Sequence, residues 1–512
     1  MTFKVLFVYP NFGTPISFSP AIQILSAVLK RAGYETALLH LHEKHGVPDD
    51  KETIINEVKK HNPDLIGFTS TSFEYDTANR IASWIKSAVA VPIVLGGTHA
   101  TIMPSDLEAS NFDAFHIGEG EENLLELVQK MSKGEDYTNV PSFYFKIRDV
   151  IKKNPLRPMV SDLNSLPLYD MEIMDTKKIL LLRSKWMSVG FSRGCPYNCT
   201  FCINHLLRKI KSPDDPKAYL RKRSVENVIS EFESIIKKYV KFIDVFNFDD
   251  DLLMLDKEWM MSFVREYKKR IFDKYGIEYA INARVNTMTD DLIGEMAKSG
   301  CREIRIGFET GDPKLREEIL NKPITDEQLI SAFGLCHKHG IRGSAFTMLG
   351  IPQESHESIR KSVELLARLK PYLIRLTFLY PYYHTTIHDY CREHDLFKGG
   401  KLKSDVFSES PLVFKDLTDA QLLKYKHLFA WHINKVMLPR EQSNEYVEAI
   451  AFFDGMSYEE FLKASDAMLA MDEKLSEKMR ALNLAHFRYF RRNLYYYQLW
   501  EPVMKFGGEE ND

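Results

Sequence analysis

The sequence has few cysteines, no excess of charge of either sign and no long apolar run. Six cysteines in 512 residues are too few for a disulfide scaffold, which favours a reduced, cytoplasmic setting. Lys and Arg number 68 against 71 Asp and Glu, so the formal net charge of −3 offers no electrostatic footprint for duplex nucleic acid. No apolar stretch is long enough to cross a bilayer, and the first residues lack the cationic start of a signal peptide. We therefore expect a cytoplasmic protein without a transmembrane segment.

The first 130 residues alternate short apolar strands with amphipathic helices. This alternation predicts a doubly wound, parallel α/β sheet of the Rossmann-like type. The expected strands cover residues 3–10, 35–41, 65–70, 92–97 and 114–118. Ligands of such sheets bind beyond the carboxyl ends of the strands.

The loops at these strand ends are rich in Gly, Ser and Thr, notably in residues 69–72, 96–99 and 118–120. Such residues allow a close backbone approach and offer hydroxyl groups for hydrogen bonds. Each loop alone is explained by ordinary turn chemistry, but several on one expected edge favour a polar ligand.

The rest of the chain changes character twice. Residues 134–185 contain several prolines and are interpreted as a linker. Six strand–helix repeats follow and predict an open, partial (β/α)6 barrel, and from Gly400 onward the pattern is mainly helical. Helices are expected over 419–438, 457–471 and 472–493, the last with an aromatic end that forms a packed cap. The expected domains are 1–133, 134–185 (linker), 186–399 and 400–512.

The most specific motif is a group of three cysteines, Cys195, Cys199 and Cys202. A structural zinc site usually takes four ligands in two separated pairs, and no fourth cysteine follows here at a suitable spacing. A cubane iron–sulfur cluster can take three thiolates and leave one iron open for a small chelating ligand. The remaining cysteines, at 301, 336 and 391, are isolated and are expected to be buried small hydrophobes.

This C-x-x-x-C-x-x-C motif, in a loop after a strand, resembles the radical S-adenosylmethionine superfamily, and the resemblance runs from about Trp186 to Tyr390. It implies that Cys195, Cys199 and Cys202 ligate a [4Fe-4S] cluster. The open iron of the cluster would bind S-adenosylmethionine, which one electron cleaves to a 5′-deoxyadenosyl radical. A low-potential electron donor is therefore an expected partner.

The same resemblance implies S-adenosylmethionine contacts at three later strand ends. Asp249 and Asp250 are candidates to hold the ammonium group, although aspartates at such a position also act as helix N-caps. Arg284 would bind a carboxylate, or else face solvent, and Glu309 would accept hydrogen bonds from the ribose.

The first 130 residues resemble the cobalamin-binding domain that precedes the radical core in one subgroup of this superfamily. The resemblance implies that the nucleotide tail of cobalamin threads beside the sheet, where a side chain at Gly96 or Gly97 would collide with it. The implied cobalamin residues are Ser70, Thr71, Gly96, Gly97, Thr98 and Gly118. The Asp-x-His-x-x-Gly motif that supplies a lower axial histidine is absent after the first strand, so no histidine from that motif is expected below the corrin.

Three functions follow from these features. The leading one is a cobalamin-dependent radical enzyme that methylates an unactivated carbon through the 5′-deoxyadenosyl radical and methylcobalamin. The second is a cyclase or oxidative rearrangement enzyme with the same cofactors but no net methyl transfer. The third, from another class, is an iron–sulfur electron carrier, although such clusters normally have four protein ligands. The substrate class stays open between a small molecule, a lipid and a peptide.

Overall fold

The computed structural model describes residues 2–13, 15–148, 150–399, 409–491 and 496–501. Two compact units make up the chain. The first comprises Met1–Tyr197, Ile203–Asp251 and Asp273–Ile277, and the second comprises Asn198–Cys202, Leu252–Phe272 and Glu278–Asp512. The expected boundary at Gly400 and the aromatic residue Tyr495 lie outside the described residues.

The first unit begins with the predicted alternation of strands and helices. Its elements are β1 (Lys4–Pro10), α1 (Pro20–Arg31), β2 (Glu35–Leu41), α2 (Lys51–His61), β3 (Leu65–Thr69), α3 (Tyr75–Lys86), β4 (Ile93–Gly96), α4 (Thr98–Ile102), β5 (Ala114–His116), α5 (Glu121–Ser132), β6 (Phe143–Ile147) and β7 (Val150–Lys153). The strand order is β2-β1-β3-β4-β5-β6-β7. The first five strands are parallel, and the order reverses between β1 and β3, which is the position at which doubly wound sheets bind ligands.

Local sequence explains these elements. β1 is buried on both faces because it is almost wholly apolar, with Val5, Leu6 and Val8 fully inaccessible to solvent. Ser19 and Asp50 accept hydrogen bonds from the first turns of α1 and α2, which fixes where these helices begin. β6 and β7 fall in the stretch interpreted as a linker. They form an antiparallel hairpin that extends the first sheet.

From the end of this hairpin to residue 399, strands and helices alternate again. The elements are α6 (Thr176–Leu182), β8 (Trp186–Val189), β9 (Ser192–Arg193), α7 (Ile203–Lys211), β10 (Arg221–Lys222), α8 (Val225–Tyr239), β11 (Val245–Phe248), α9 (Lys257–Tyr267), α10 (Asp273–Tyr275), β12 (Glu278–Ala283), α11 (Asp290–Lys298), β13 (Cys301–Glu309), α12 (Asp326–His339), β14 (Arg342–Leu349), α13 (His356–Leu369), β15 (Leu373–Phe378) and α14 (Thr386–Glu393). In the first unit β8 pairs with β11, and in the second β12, β13, β14 and β15 pair in succession, all in parallel. Six parallel strands in the described part of the chain confirm the expected (β/α)6 partial barrel.

The C-terminal region is mainly helical, as expected, but its end is not. It contains α15 (Asp419–Met437), α16 (Arg440–Asp454), α17 (Tyr458–Lys463), α18 (Ser465–Ala481), β16 (His486–Arg491) and β17 (Tyr496–Trp500). The helix expected over 472–493 is therefore wrong beyond Ala481, where Asn483 adopts a left-handed conformation with φ of 53°. The aromatic residues that follow favour a strand, and β17 pairs antiparallel with β15 and β16.

None of the helices in the described ranges is long and apolar enough to span a membrane.

Candidate functional site

A cavity of about 390 Å³ lies in the first unit, beside the carboxyl ends of the parallel strands. Phe7 of β1 and Gly67 of β3 line it, so it adjoins the point at which the strand order reverses. Gly96, Gly97 and Gly118, three of the expected cobalamin residues, also line the wall. The cavity therefore occupies the edge that the loop composition predicted for a ligand.

The other three expected cobalamin residues are not on the cavity wall. Ser70 is buried, and its backbone donates to the carbonyl of Gly96 and accepts from the amide of His99, each at 3.2 Å. The backbone and hydroxyl of Thr71 both donate to the carboxylate of Glu74, at 3.0 Å. Thr98 is the first residue of α4. These three residues belong to the segments that directly follow β3 and β4.

Gly96 and Gly97 differ in what a side chain would meet. A Cβ atom at Gly97 would lie 2.7 Å from the carbonyl oxygen of Ser70, and the residue has a φ of +93° that only glycine adopts easily. A Cβ atom at Gly96 would have only the carbonyl oxygen of Phe68 near it, at 3.8 Å. Gly97 is thus required by the fold itself, whereas the space beside Gly96 is open to a ligand.

One wall of the cavity carries an ion-pair network that the sequence did not reveal. Glu119 accepts two hydrogen bonds from Arg221, at 2.6 and 2.9 Å, and forms an ion pair with Arg193 at 3.0 Å. Arg193 also pairs with Glu121. Burial alone would raise the pKa of Glu119, but the hydrogen bond from Arg221 and the two guanidinium charges lower it to about 2. Arg193 and Arg221 belong to β9 and β10, which flank the cysteine motif in the chain.

Asp249 and Asp250 follow β11 and line the same cavity, but they are held differently. Asp250 is buried and accepts hydrogen bonds from the backbone amides of Phe191 and Ser192, at 2.9 and 2.5 Å. Burial raises the pKa of Asp250 to about 6. Asp249 is exposed and accepts from Asn247 at 2.6 Å. Of the two candidates, Asp249 is the one whose carboxylate faces outward to a ligand.

Cys195 belongs to the first unit, and one residue separates it from β9. Gly194, just before it, has a φ of +95°, and a Cβ atom there would lie 2.4 Å from the carbonyl oxygen of Tyr219. Only glycine fits this turn. Arg208 of α7 donates to the carbonyl oxygens of Cys195 and Pro196, at 3.2 and 2.6 Å, which fixes the start of the loop.

Cys199 and Cys202 belong to the second unit. The amide of Cys202 donates to the carbonyl of Cys199 at 3.1 Å, and the intervening Thr200 is tied to Leu320 by a backbone hydrogen bond of 3.0 Å. Nη1 of Arg284 lies 3.6 Å from Sγ of Cys199 and donates to it. The candidate carboxylate-binding residue therefore contacts one of the three predicted cluster ligands.

None of the three cysteines of the motif forms a disulfide, and Cys199 is buried while the other two are half-buried. In the ranges that the structure describes, no three His, Cys, Asp or Glu side chains lie close enough together to hold a metal ion. The isolated cysteines Cys301, Cys336 and Cys391 are all buried, and burial raises the pKa of each thiol. They therefore occupy the kind of site that was expected for them.

Glu309 ends β13 in a left-handed conformation with φ of +62°. Its carboxylate forms an ion pair with Nζ of Lys322 at 2.7 Å, and both side chains are buried. The same ammonium donates to the carbonyl of Gly307 at 2.7 Å, and a Cβ atom at Gly307 would lie 2.4 Å from Nζ. The glycine of this segment thus makes room for the lysine that orients Glu309. Lys322 was not among the residues expected from the sequence.

Two family domains account for most of the described strands and helices before the C-terminal region. Residues 16–128 match the B12 binding domain, and residues 189–366 match the radical SAM superfamily. An uncharacterized methyltransferase of Pyrococcus horikoshii is 28% identical over 373 residues, which cover 72% of this chain and 78% of that protein. The anaerobic magnesium-protoporphyrin IX monomethyl ester cyclase of Rubrivivax gelatinosus is 26% identical, covering 72% of this chain and 66% of the cyclase.

The fold is also that of a solved structure. The cobalamin-dependent S-adenosylmethionine radical enzyme OxsB, with aqua-cobalamin and S-adenosylmethionine bound, superposes with a TM-score of 0.67 at 16% identity, covering 94% of this chain and 76% of that one. The chain belongs to the subgroup of the radical SAM superfamily that carries a cobalamin-binding domain. It is accordingly a radical SAM enzyme, and the cofactors of this class are a [4Fe-4S] cluster, S-adenosylmethionine and cobalamin, as expected from the sequence.

Proposed function

We propose that this enzyme transfers a methyl group to an unactivated carbon with the help of cobalamin. The observation that carries the proposal is a shared cavity. Its wall includes Gly96 and Gly97, expected beside the cobalamin tail, and Asp249, expected beside S-adenosylmethionine. Methyl transfer of this kind requires both cofactors to face one space. Gly96, Gly97 and Asp249 all line one cavity, and all three belong to the first unit.

The residues present suit the cofactors. Three thiols at this spacing would hold the cluster through Cys195, Cys199 and Cys202. S-adenosylmethionine would be held by Asp249, Arg284 and Glu309, and the corrin by the strand-end loops around Gly96. When bound, the cluster and S-adenosylmethionine supply a hydrogen-abstracting radical, and cobalamin supplies the methyl group.

The chain's own groups orient and shield these positions. Arg284 donates to Sγ of Cys199, and an N–H donor near a thiolate stabilises its negative charge. Lys322 fixes the carboxylate of Glu309, so that its second oxygen is oriented for a hydroxyl donor. Asp250 does not act as a free carboxylate in this proposal, because it ties together the loop after β8. Apolar side chains such as Ile24 and Leu25 keep water from part of the cavity.

A second candidate is cyclisation or oxidative rearrangement without net methyl transfer. The sequence similarity to the magnesium-protoporphyrin cyclase favours it. Both candidates share the cofactors, so they differ only in the product. We propose a small-molecule, lipid or peptide substrate, a low-potential electron donor and a cytoplasmic location, with domain boundaries near residues 133, 185 and 399.

The test is a labelling experiment under anaerobic conditions. Reduced protein carrying the cluster and cobalamin is incubated with S-adenosylmethionine whose methyl group is deuterated, and cobalamin is then extracted. We expect the extracted cobalamin to carry the deuterated methyl group and 5′-deoxyadenosine to accumulate. Formation of 5′-deoxyadenosine with no labelled methyl on cobalamin would favour the cyclase alternative. Formation of neither would contradict both.

A further inference from the structure

Lys211, the last residue of α7, differs from the other charged residues of the cavity wall in its lack of a hydrogen-bond or ion-pair partner among the described residues. The acidic groups there have partners: Glu119 and Glu121 pair with arginines, and the three aspartates 249, 250 and 251 accept hydrogen bonds. Arg223 pairs with Glu231 at 2.8 Å. Among the described residues, no hydrogen bond or ion pair satisfies the ammonium group of Lys211, although it lines the same wall.

The surroundings of Lys211 make an unpaired ammonium unfavourable. Burial lowers the pKa of Lys211, and the guanidinium groups of Arg193 and Arg221 lower it further, against the opposing effect of Glu119 and Glu121. The two arginines and the two glutamates already balance each other in charge. Within this group of five charges, Lys211 therefore adds one positive charge that neither glutamate balances, and the oxygen of an anionic ligand would neutralise it.

The chemistry of the expected ligand identifies the anion. The corrin ring of cobalamin carries neutral amide groups, and its nucleotide tail carries one phosphodiester. The tail is expected beside Gly96, Gly97 and Gly118, which line the same cavity as Lys211. A lysine ammonium binds phosphate oxygens as a point charge.

We infer that Lys211 binds the phosphodiester of the cobalamin nucleotide tail. This inference rests on the proposed function, because it requires cobalamin in this cavity. It assigns to a residue of the radical SAM domain a contact with the cofactor of the preceding domain. A carboxylate, such as that of S-adenosylmethionine, offers the same anionic oxygens, and the experiment distinguishes the two sources.

The experiment compares two corrins on two variants of the full chain. Hydroxocobalamin has the tail, whereas cobinamide lacks the nucleotide and its phosphate. For Lys211→Met, we expect the affinity for hydroxocobalamin to fall about tenfold to a hundredfold, the usual effect of losing a charged hydrogen bond. The affinity for cobinamide should stay within about twofold, because no phosphate is present to lose. Lys209→Met is the matched control, since Lys209 is exposed on the same helix and should leave both affinities unchanged.

Two further readouts complete the test. The cofactor-free Lys211→Met protein should unfold at the same temperature as the wild type or at a higher one, because the substitution removes an unpaired charge. A lower unfolding temperature, an equal loss for both corrins or an unchanged hydroxocobalamin affinity would each overturn the inference. Weaker binding of S-adenosylmethionine with unchanged hydroxocobalamin affinity would assign the anion to that carboxylate instead. If the wild-type chain binds no corrin at all, the proposed function fails as well.

Discussion

The strand ends of the first sheet and those of the barrel strands carry different kinds of residue. The first sheet ends in glycines, and the space beside Gly96 and Gly118 is open. The barrel strands end in charged side chains that already have partners, such as Glu309 with Lys322 and Arg284 with Cys199. At Gly96 and Gly118 the first sheet thus offers open space, whereas at Arg284 and Glu309 the barrel strands offer charged groups.

This contrast suggests which changes each region tolerates. A large cofactor bound by shape is excluded by added volume, whereas a small charged cofactor is lost when a ligand or an orienting charge is removed. Substitutions that add a side chain should act at the first sheet, and substitutions that remove a functional group should act at the barrel.

The largest effect is expected at the barrel, from loss of one cluster ligand. Cys199→Ala should lose most of its iron and all cleavage of S-adenosylmethionine, because no neighbouring thiol replaces the ligand. Cys336→Ala is the control, since Cys336 is a buried cysteine outside the motif and should keep its iron. Iron and sulfide analysis with measurement of 5′-deoxyadenosine would check this. A full cluster with normal cleavage in Cys199→Ala would refute the cysteine assignment.

At the first sheet, Gly96→Leu should abolish retention of cobalamin while the protein stays folded. A side chain at residue 96 projects into open space, so it fills the cavity without striking the backbone. We expect the affinity for hydroxocobalamin to fall by about a hundredfold or more, with the iron content unchanged. Gly334→Leu, on the exposed face of α12, is the control for an added leucine.

Gly97→Val, in contrast, should lower the stability of the fold itself, because its side chain would strike the backbone of Ser70 and strain a positive φ. We expect a loss of about 2 kcal/mol or more in the free energy of unfolding. Denaturant unfolding of both glycine variants would separate the two effects. Equal destabilisation by Gly96→Leu and Gly97→Val would remove the distinction between them.

The two neighbouring aspartates should respond differently to the same substitution. Asp249→Asn should weaken the binding of S-adenosylmethionine by about tenfold, because it removes one charge from an ammonium contact, and should leave stability unchanged. Asp250→Asn should lower the free energy of unfolding by about 1–3 kcal/mol, because Asp250 holds the amides of Phe191 and Ser192. Binding titrations and denaturant unfolding of the two variants would check this. The reverse pattern would exchange the roles of the two residues.

The smallest effect is expected from mild acid, which should lower the stability of both units. Burial lowers the pKa of His116 in the first unit to about 3 and that of His486 in the second to about 4. Both are neutral in the fold, whereas the unfolded chain takes up protons near pH 6.5, so stability falls as the pH drops from about 6.5 towards 4. Two such histidines together lower the free energy of unfolding by about 1 kcal/mol between pH 7 and pH 6. Burial also lowers the pKa of His40 to about 3 and that of His432 to about 4, which adds to this loss. Asp250 and Asp472, whose pKa values burial raises to about 6, and Glu354, whose pKa burial raises to about 8, oppose it in part.

Denaturant unfolding at several pH values checks this sign. Replacing His116 or His486 by Asn should flatten the pH dependence between pH 7 and pH 5. A free energy of unfolding that rises on acidification through this range, or that is as steep in these variants as in the wild type, would show that the buried histidines do not govern it.

Features that depend on near neighbours in the chain were predictable from the sequence. The five parallel strands follow from apolar segments of strand length, and the cysteine motif follows from spacing within eight residues. The strands of the C-terminal hairpin were missed because residues 472–493 continue a helical pattern until Asn483 ends it. The loop composition at Gly96, Gly97 and Gly118 indicated the edge of the sheet beside which the cavity lies.

The paired charges of the site could not be predicted in this way. Arg193 and Glu121 are 72 positions apart, and Arg221 and Glu119 are 102 positions apart. No local period connects such residues, because the fold alone brings them together. Lys211 was missed for a related reason. What distinguishes it is the absence of a partner among the described residues, and that becomes visible only once the cavity wall is assembled.

The central claim is that one chain holds both a cluster that binds S-adenosylmethionine and a corrin. Electron paramagnetic resonance of the desalted, reduced protein tests it directly, because both the reduced cluster and cob(II)alamin are paramagnetic. We expect both signals in comparable amounts and a change in the cluster signal when S-adenosylmethionine is added. A protein that shows no cob(II)alamin signal after loading and desalting, or whose cluster signal ignores S-adenosylmethionine, would contradict the account.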